Sequence, residues 1–112
     1  MARLDLSRFE EIDWDSEDDS DGNWVHCSRA DHLGPNPERV VAEVLAEQPG
    51  QIKLPLQTAE YSIVGPDSSW ASWWVVLFDV SYKRGDWLRP VTGWPAEVAE
   101  RRAWEQQFRG SR

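Results

Sequence analysis

Apolar positions along the chain fall into short blocks whose spacing changes from one block to the next, and those changes predict an α+β fold. In Phe9-Glu-Glu-Ile12-Asp-Trp14 the large residues Ile12 and Trp14 stand two apart, the period of a short strand with one buried face. Asn23-Trp-Val-His26-Cys27 follows an acidic stretch and predicts a short helix with acids at its N-terminus, where the helix dipole favours them; it ends before Gly34-Pro35. Asn36 then offers a cap, Pro37 the first helical position and Glu38 a first-turn acid. Val40, Val41, Val44 and Leu45 make one apolar stripe of this second helix, which Pro49-Gly50 stops.

Gln51 to Gln57 alternates Ile52, Leu54 and Leu56, but Pro55 confines any strand there to an edge. Glu60 to Val64 predicts the next strand, ended by Gly65-Pro66. The run from Trp73 to Val80 is apolar on both alternating faces, as a central strand covered on two sides would be. Lys83-Arg84-Gly85-Asp86 turns the chain into a strand from Trp87 to Gly93. Pro95 opens a last helix with Val98, Ala99, Ala103, Trp104 and Phe108 inward. The predicted order is β-α-α-β-β-β-α.

At 112 residues the chain suits one domain, spanning 1–112 with a core from about 9 to 108. Eight Trp outnumber the two Tyr and three Phe together, so a few large side chains supply much of the buried area. Twenty acids against twelve bases give a net charge of -8, which excludes a generally basic nucleic-acid coat. The acidity is uneven: residues 1–21 carry net -7, 22–82 net -4 and 83–112 net +3. Because salt screens charge over roughly 8 Å, a basic C-terminal face can coexist with an acidic one. Cys27 is the only cysteine, which excludes an internal disulfide or a metal site built on several thiolates and fits a reduced, intracellular setting. Met1 to Asp5 lacks the apolar stretch of a signal peptide, and Trp73 to Phe78 is far too short to span a bilayer. The expectation is a soluble, cytoplasmic protein with no membrane contact.

Three groups of residues carry candidate chemistry. Glu17 to Asn23 superficially resembles a calcium loop with Gly22 at the sixth place, but the twelfth place is Ser28, so no metal is expected. His26 and His32 are the only histidines; their six-residue spacing does not match a zinc helix. Either His26 serves as a general acid or base, or it is a packed histidine with its second nitrogen on a carbonyl. Lys83, Arg84, Arg89, Arg101, Arg102 and Arg109 form the one cationic concentration. Arg89 on a strand and Arg101 and Arg102 on the next helix can converge on phosphates at one sheet edge, or the helix pair can be a solvated face paired with Glu97, Glu100 and Glu105. Trp70, Trp73, Trp87 and Trp94 either stack bases or fill the core.

An ordered set of short motifs runs through the chain. Ile12-Asp-Trp14-Asp15, Asp21-Gly22-Asn23, His26, His32, Gly34, Pro37-Glu38-Arg-Val40 and Val44-Leu45 are followed by Ile63-Val64-Gly65 and Trp74-Val75-Val76-Leu77-Phe78. Leu88-Arg89-Pro90-Val91-Thr92-Gly93-Trp94 and Glu100-Arg101-Arg102-Ala103-Trp104 complete it. Over about residues 10–105 this order resembles the BrnT-type toxins of the RelE superfamily of small ribonucleases, in particular an acidic branch with Asp-Gly-Asn before the first histidine. The resemblance implies a small RelE/BrnT-like fold, a twisted antiparallel sheet of three to four strands flanked by helices, and metal-independent RNA cleavage by attack of the ribose 2′-OH on the adjacent phosphate, with no cofactor. It implies Arg89, His26 and His32 as catalytic residues and Arg101 and Arg102 as phosphate contacts, to which Lys83 and Arg84 of the same cationic concentration would add. A BrnA-type antitoxin would be the partner. The acidic cluster, and Trp94 where the family places a basic residue, support an alternative: a non-catalytic, immunity-like module that binds a basic surface on another protein.

Overall fold

The computed structural model describes Leu6 and residues 9–47, 50–51 and 59–109. The elements are β1 (Glu11–Ile12), α1 (Asn23–Cys27), α2 (Pro37–Ala46), β2 (Gly50–Gln51), β3 (Tyr61–Pro66), β4 (Trp73–Val80), β5 (Trp87–Pro95) and α3 (Val98–Arg109). The α+β class stands, but two points of the architecture differ from expectation. The sheet has five strands in the order β1-β5-β4-β3-β2, and it is mixed, because β1 runs parallel to β5 while the other neighbours are antiparallel. A parallel pair needs a long crossover, here the whole chain between Ile12 and Trp87, so periodicity within one segment cannot reveal it. The alternation expected from Gln51 to Gln57 lies mostly on 52–58, outside the described residues.

β4 is the central strand that its sequence predicts. Val76 and Phe78 join Val40, Val41, Val44 and Leu33 in the main core, while Val75 and Leu77 face the other way and pack with Val64, Trp94 and Trp104. α1 and α2 therefore cover one face and α3 the other. Asn36 caps α2 by accepting from the Arg39 backbone N–H, and Pro37 occupies the first position, where it loses no helical hydrogen bond.

Prolines fall inside strands more than expected. β3 runs on through Gly65 and Pro66, which lie beyond the short ladder with β2 at Ile63 and Val64. β5 runs on through Pro95, so that residue closes the strand instead of opening α3, and the Ala96 N–H donates to the Trp73 carbonyl. α3 consequently turns a different face inward: Glu100, Ala103 and Trp104 are half-buried, whereas Val98 and Ala99 are exposed. At 3.6 residues per turn Val98 and Ala99 lie roughly 120–140° round the helix from Trp104. The side chain of Phe108 lies outside the described residues.

A Cβ built on Gly93 would come within 2.7 Å of both Leu33 Cδ2 and the Val75 carbonyl oxygen. Gly93→Ala is accordingly expected to cost about 2 kcal/mol, as overpacking against a fixed backbone atom does, measurable as a lower urea midpoint at unchanged slope. Among the described residues no helix is long and apolar enough to cross a membrane.

Candidate functional site

The motif residues nearest the N-terminus meet Arg89 in a single hydrogen-bonded knot. β1 carries the chain onto the edge of β5, and this delivers Asp13 and Asp15 to the start of that strand. The Arg89 guanidinium donates to both Asp15 oxygens, at 2.7 and 3.1 Å, and to Asp13 Oδ2 at 3.3 Å. Asp13 is buried and also accepts from the Ser81 hydroxyl at 2.7 Å and from Lys83 Nζ at 3.1 Å. Two carboxylates thus face two cations.

Asn23 ties the knot to α1. Its amide nitrogen donates to the carbonyls of Asp13 and Pro90, its amide oxygen accepts from the Asp15 N–H, and its own N–H donates to Asp15 Oδ2. The charge at the N-terminus of α1 therefore comes from Asp15, eight residues back, and the first turn of α1 itself holds no acid. A Cβ on Gly22 would lie 2.6 Å from Asp15 Cβ, so glycine is what lets the two segments close.

Beside the knot lies an open cleft of about 490 Å3 lined by His26, His32, Arg89, Thr92, Asp21 and their neighbours. The two imidazoles meet edge to face with centroids 4.5 Å apart. His26 Nε2 shares a hydrogen bond with the Thr92 hydroxyl at 2.9 Å, and His32 Nδ1 donates to Asp31 at 2.8 Å. Burial first, and then the neighbouring His32 and Arg29, push His26 below its ordinary value of 6.5. It is neutral at pH 7.

The remaining predicted cations stand elsewhere. Lys83 reaches the knot only through Asp13, and Arg84 is held by Asp86 at 2.9 Å. Arg101 lies over the Trp73 ring at 4.5 Å and pairs with Glu105; Arg102 is exposed on the same helix. Trp73 begins β4 and Asp79, the partner of Arg89, lies near its end, so the two arginine positions are roughly 20 Å apart along the strand. None of these four cations lines the cleft. Trp73 is buried and Trp70 exposed. Burial pushes the Cys27 thiol up to about 11, which leaves it inert. Among the described residues no group of three or more His, Cys, Asp or Glu is placed to hold a metal ion.

No family model, curated protein or solved structure matches the chain.

Sequence reasoning picked out Arg89 and both histidines but missed Asp13, Asp15, Asn23, Ser81 and Thr92. One signal was present: acids alternating with Ile12 and Trp14 in a strand must point somewhere, and the cation-poor N-terminal segment cannot satisfy them locally.

The knot and His26 set an acid limit on stability. Burial raises the Asp13 carboxyl, but Ser81, Lys83 and Arg89 together outweigh it, and Asp15 is held low chiefly by Arg89 and then by the Asn23 N–H. A folded-state value below the unfolded one stabilises at high pH, and this contribution is lost as pH falls through the folded value. The melting temperature is expected to fall slightly below about pH 6.5, where the unfolded state protonates His26 first, and steeply below about pH 4. Asp15→Asn should flatten the steep limb in a melting series against pH.

Proposed function

We propose that the chain is a BrnT-like ribonuclease toxin of a toxin–antitoxin pair, acting in the cytoplasm at the His26–His32 cleft. The observation that supports this reading most is the histidine pair itself: two imidazoles in contact, each oriented by a separate hydrogen bond, on the wall of an open cleft that Arg89 also lines. Neutral His26 takes the proton of a ribose 2′-OH as that oxygen attacks phosphorus. His32, with the Asp31 carboxylate beside it, delivers a proton to the departing 5′ oxygen as the P–O bond breaks. The products are a 2′,3′-cyclic phosphate and a free 5′-hydroxyl. Arg89 is the one Lys or Arg among the described residues lining the cleft, and the phosphate would lie toward it. The partner would be a BrnA-type antitoxin.

Incubating the purified chain with RNA in the presence of a chelator tests this. Cyclic-phosphate ends should accumulate, and expression without an antitoxin should arrest growth. Intact RNA and normal growth with folded, soluble protein would overturn the proposal.

One observation favours a second reading, a non-catalytic protein-binding module. Arg89, Lys83, Arg84 and Arg101 each already face a carboxylate, which weakens every one of them as a phosphate ligand. On this reading the same incubation leaves RNA intact, while a low-salt pull-down recovers a specific basic partner.

A further inference from the structure

We infer that the groove between β1 and α2 docks a cationic, amphipathic segment of a partner protein. The groove encloses about 560 Å3. Its floor is Phe9, Ile12, Trp14 and Leu45, each packed on the main core from one side and partly open on the other. Ala42 and Ala46, one turn apart on α2 and exposed, leave room for another backbone to approach closely. The rim is Glu10, Glu11 and Glu38, all exposed, and no Lys or Arg is among the described lining residues. The groove shares no lining residue with the histidine cleft, so the inference does not rest on RNA cleavage.

Floor and rim together select the occupant. An acidic rim repels nucleic acid and anionic membrane, and it also repels a second copy of a chain that carries net charge -8. The apolar floor gives a purely polar polycation nothing to bury. What fits is a segment with a few large apolar anchors on one side and Lys or Arg flanking them, with the anchors supplying affinity and the cations steering and register. The exposed acids Glu17, Asp18 and Asp19, in the loop that follows β1, add to the negative charge of the N-terminal segment that steers a cationic partner.

The test titrates the isotopically labelled full chain with three synthetic peptides of equal length, Leu/Lys and Leu/Glu amphipathic helices and a Gly/Lys polymer. The Leu/Lys peptide should shift the signals of Ile12, Trp14, Ala42 and Ala46 and bind at least about tenfold more tightly than the other two. Ala42→Glu, at an exposed helical position that accepts glutamate, keeps the attraction but blocks the floor and should weaken binding about tenfold. Glu11→Lys combined with Glu38→Lys should reverse the preference between the two Leu peptides. Equal binding of the Leu/Lys and Gly/Lys peptides, or shifts confined to residues 17–21, would mean charge attraction alone and overturn the inference. A native dimer dissociated by Ala42→Glu would place a second copy in the groove and overturn it equally.

Discussion

Arg89→Ala is expected to lower the free energy of unfolding by about 3 kcal/mol, the low end for breaking a buried ion pair because the arginine keeps some contact with solvent. The loss arises from what the substitution leaves behind. Asp13 is almost wholly buried, and without Arg89 it keeps only the Ser81 hydroxyl and Lys83; Asp15 loses both of its guanidinium bonds. Against a total stability of roughly 5–15 kcal/mol for a domain, that is a large share. In urea the midpoint should fall by roughly 1.5 M at a slope near 2 kcal/mol/M. Arg89→Lys should recover only part of it, since an ammonium cannot make the two-pronged contact with Asp15. A loss below about 1 kcal/mol would show that the pairs are solvated and contribute as surface bridges do. The same result governs how activity is read: an inactive Arg89→Ala protein says nothing of phosphate binding unless its folded fraction is measured beside it.

His26→Ala is expected to reduce RNA cleavage by about 10²- to 10⁴-fold, the usual contribution of a positioned acid or base, while unfolding changes far less than for Arg89→Ala. The separation of the two effects follows from placement. His26 is half-buried on the cleft wall with one side-chain hydrogen bond, to Thr92, whereas Arg89 ties β5 to the segment after β1 by three. Because burial depresses His26, the acid limb of the rate against pH should lie below the ordinary histidine value of about 6.5. Thr92→Val removes the bond that orients the ring but keeps the burial that depresses it, so turnover should fall while the limb stays below 6.5. Equal cleavage by wild type and His26→Ala would remove the histidine pair from the mechanism.

How much of this was readable from the chain depends on the range of the interaction. α2 was legible because its signals are local: Asn36 accepts from Arg39 three residues on, and Val40, Val41 and Val44 repeat at the helical period. β4 was legible because both of its faces are apolar. The end of β5 was not, since Pro95 reads locally as a helix start and only the ladder to Trp74 shows that the strand continues. Val98 and Ala99 were placed inward for the same reason, as a shift in the first helical residue rotates the inward face.

The candidate site divides along the same line. Residue types and order alone singled out Arg89, His26 and His32, because few residues supply a cation or a proton carrier near neutral pH. The bonding around them was decided in three dimensions: Asp13 to Lys83 spans 70 positions, Asp15 to Arg89 spans 74, and His26 to Thr92 spans 66. Asp15, which its sequence neighbourhood places only beside a short strand, becomes the counterion of an arginine on β5. By itself the sequence determined the elements and the chemically able residues, since propensity and periodicity act over a few residues. Only the tertiary structure decided which charges cancel, because Coulomb attraction and burial depend on distance in space and not along the chain.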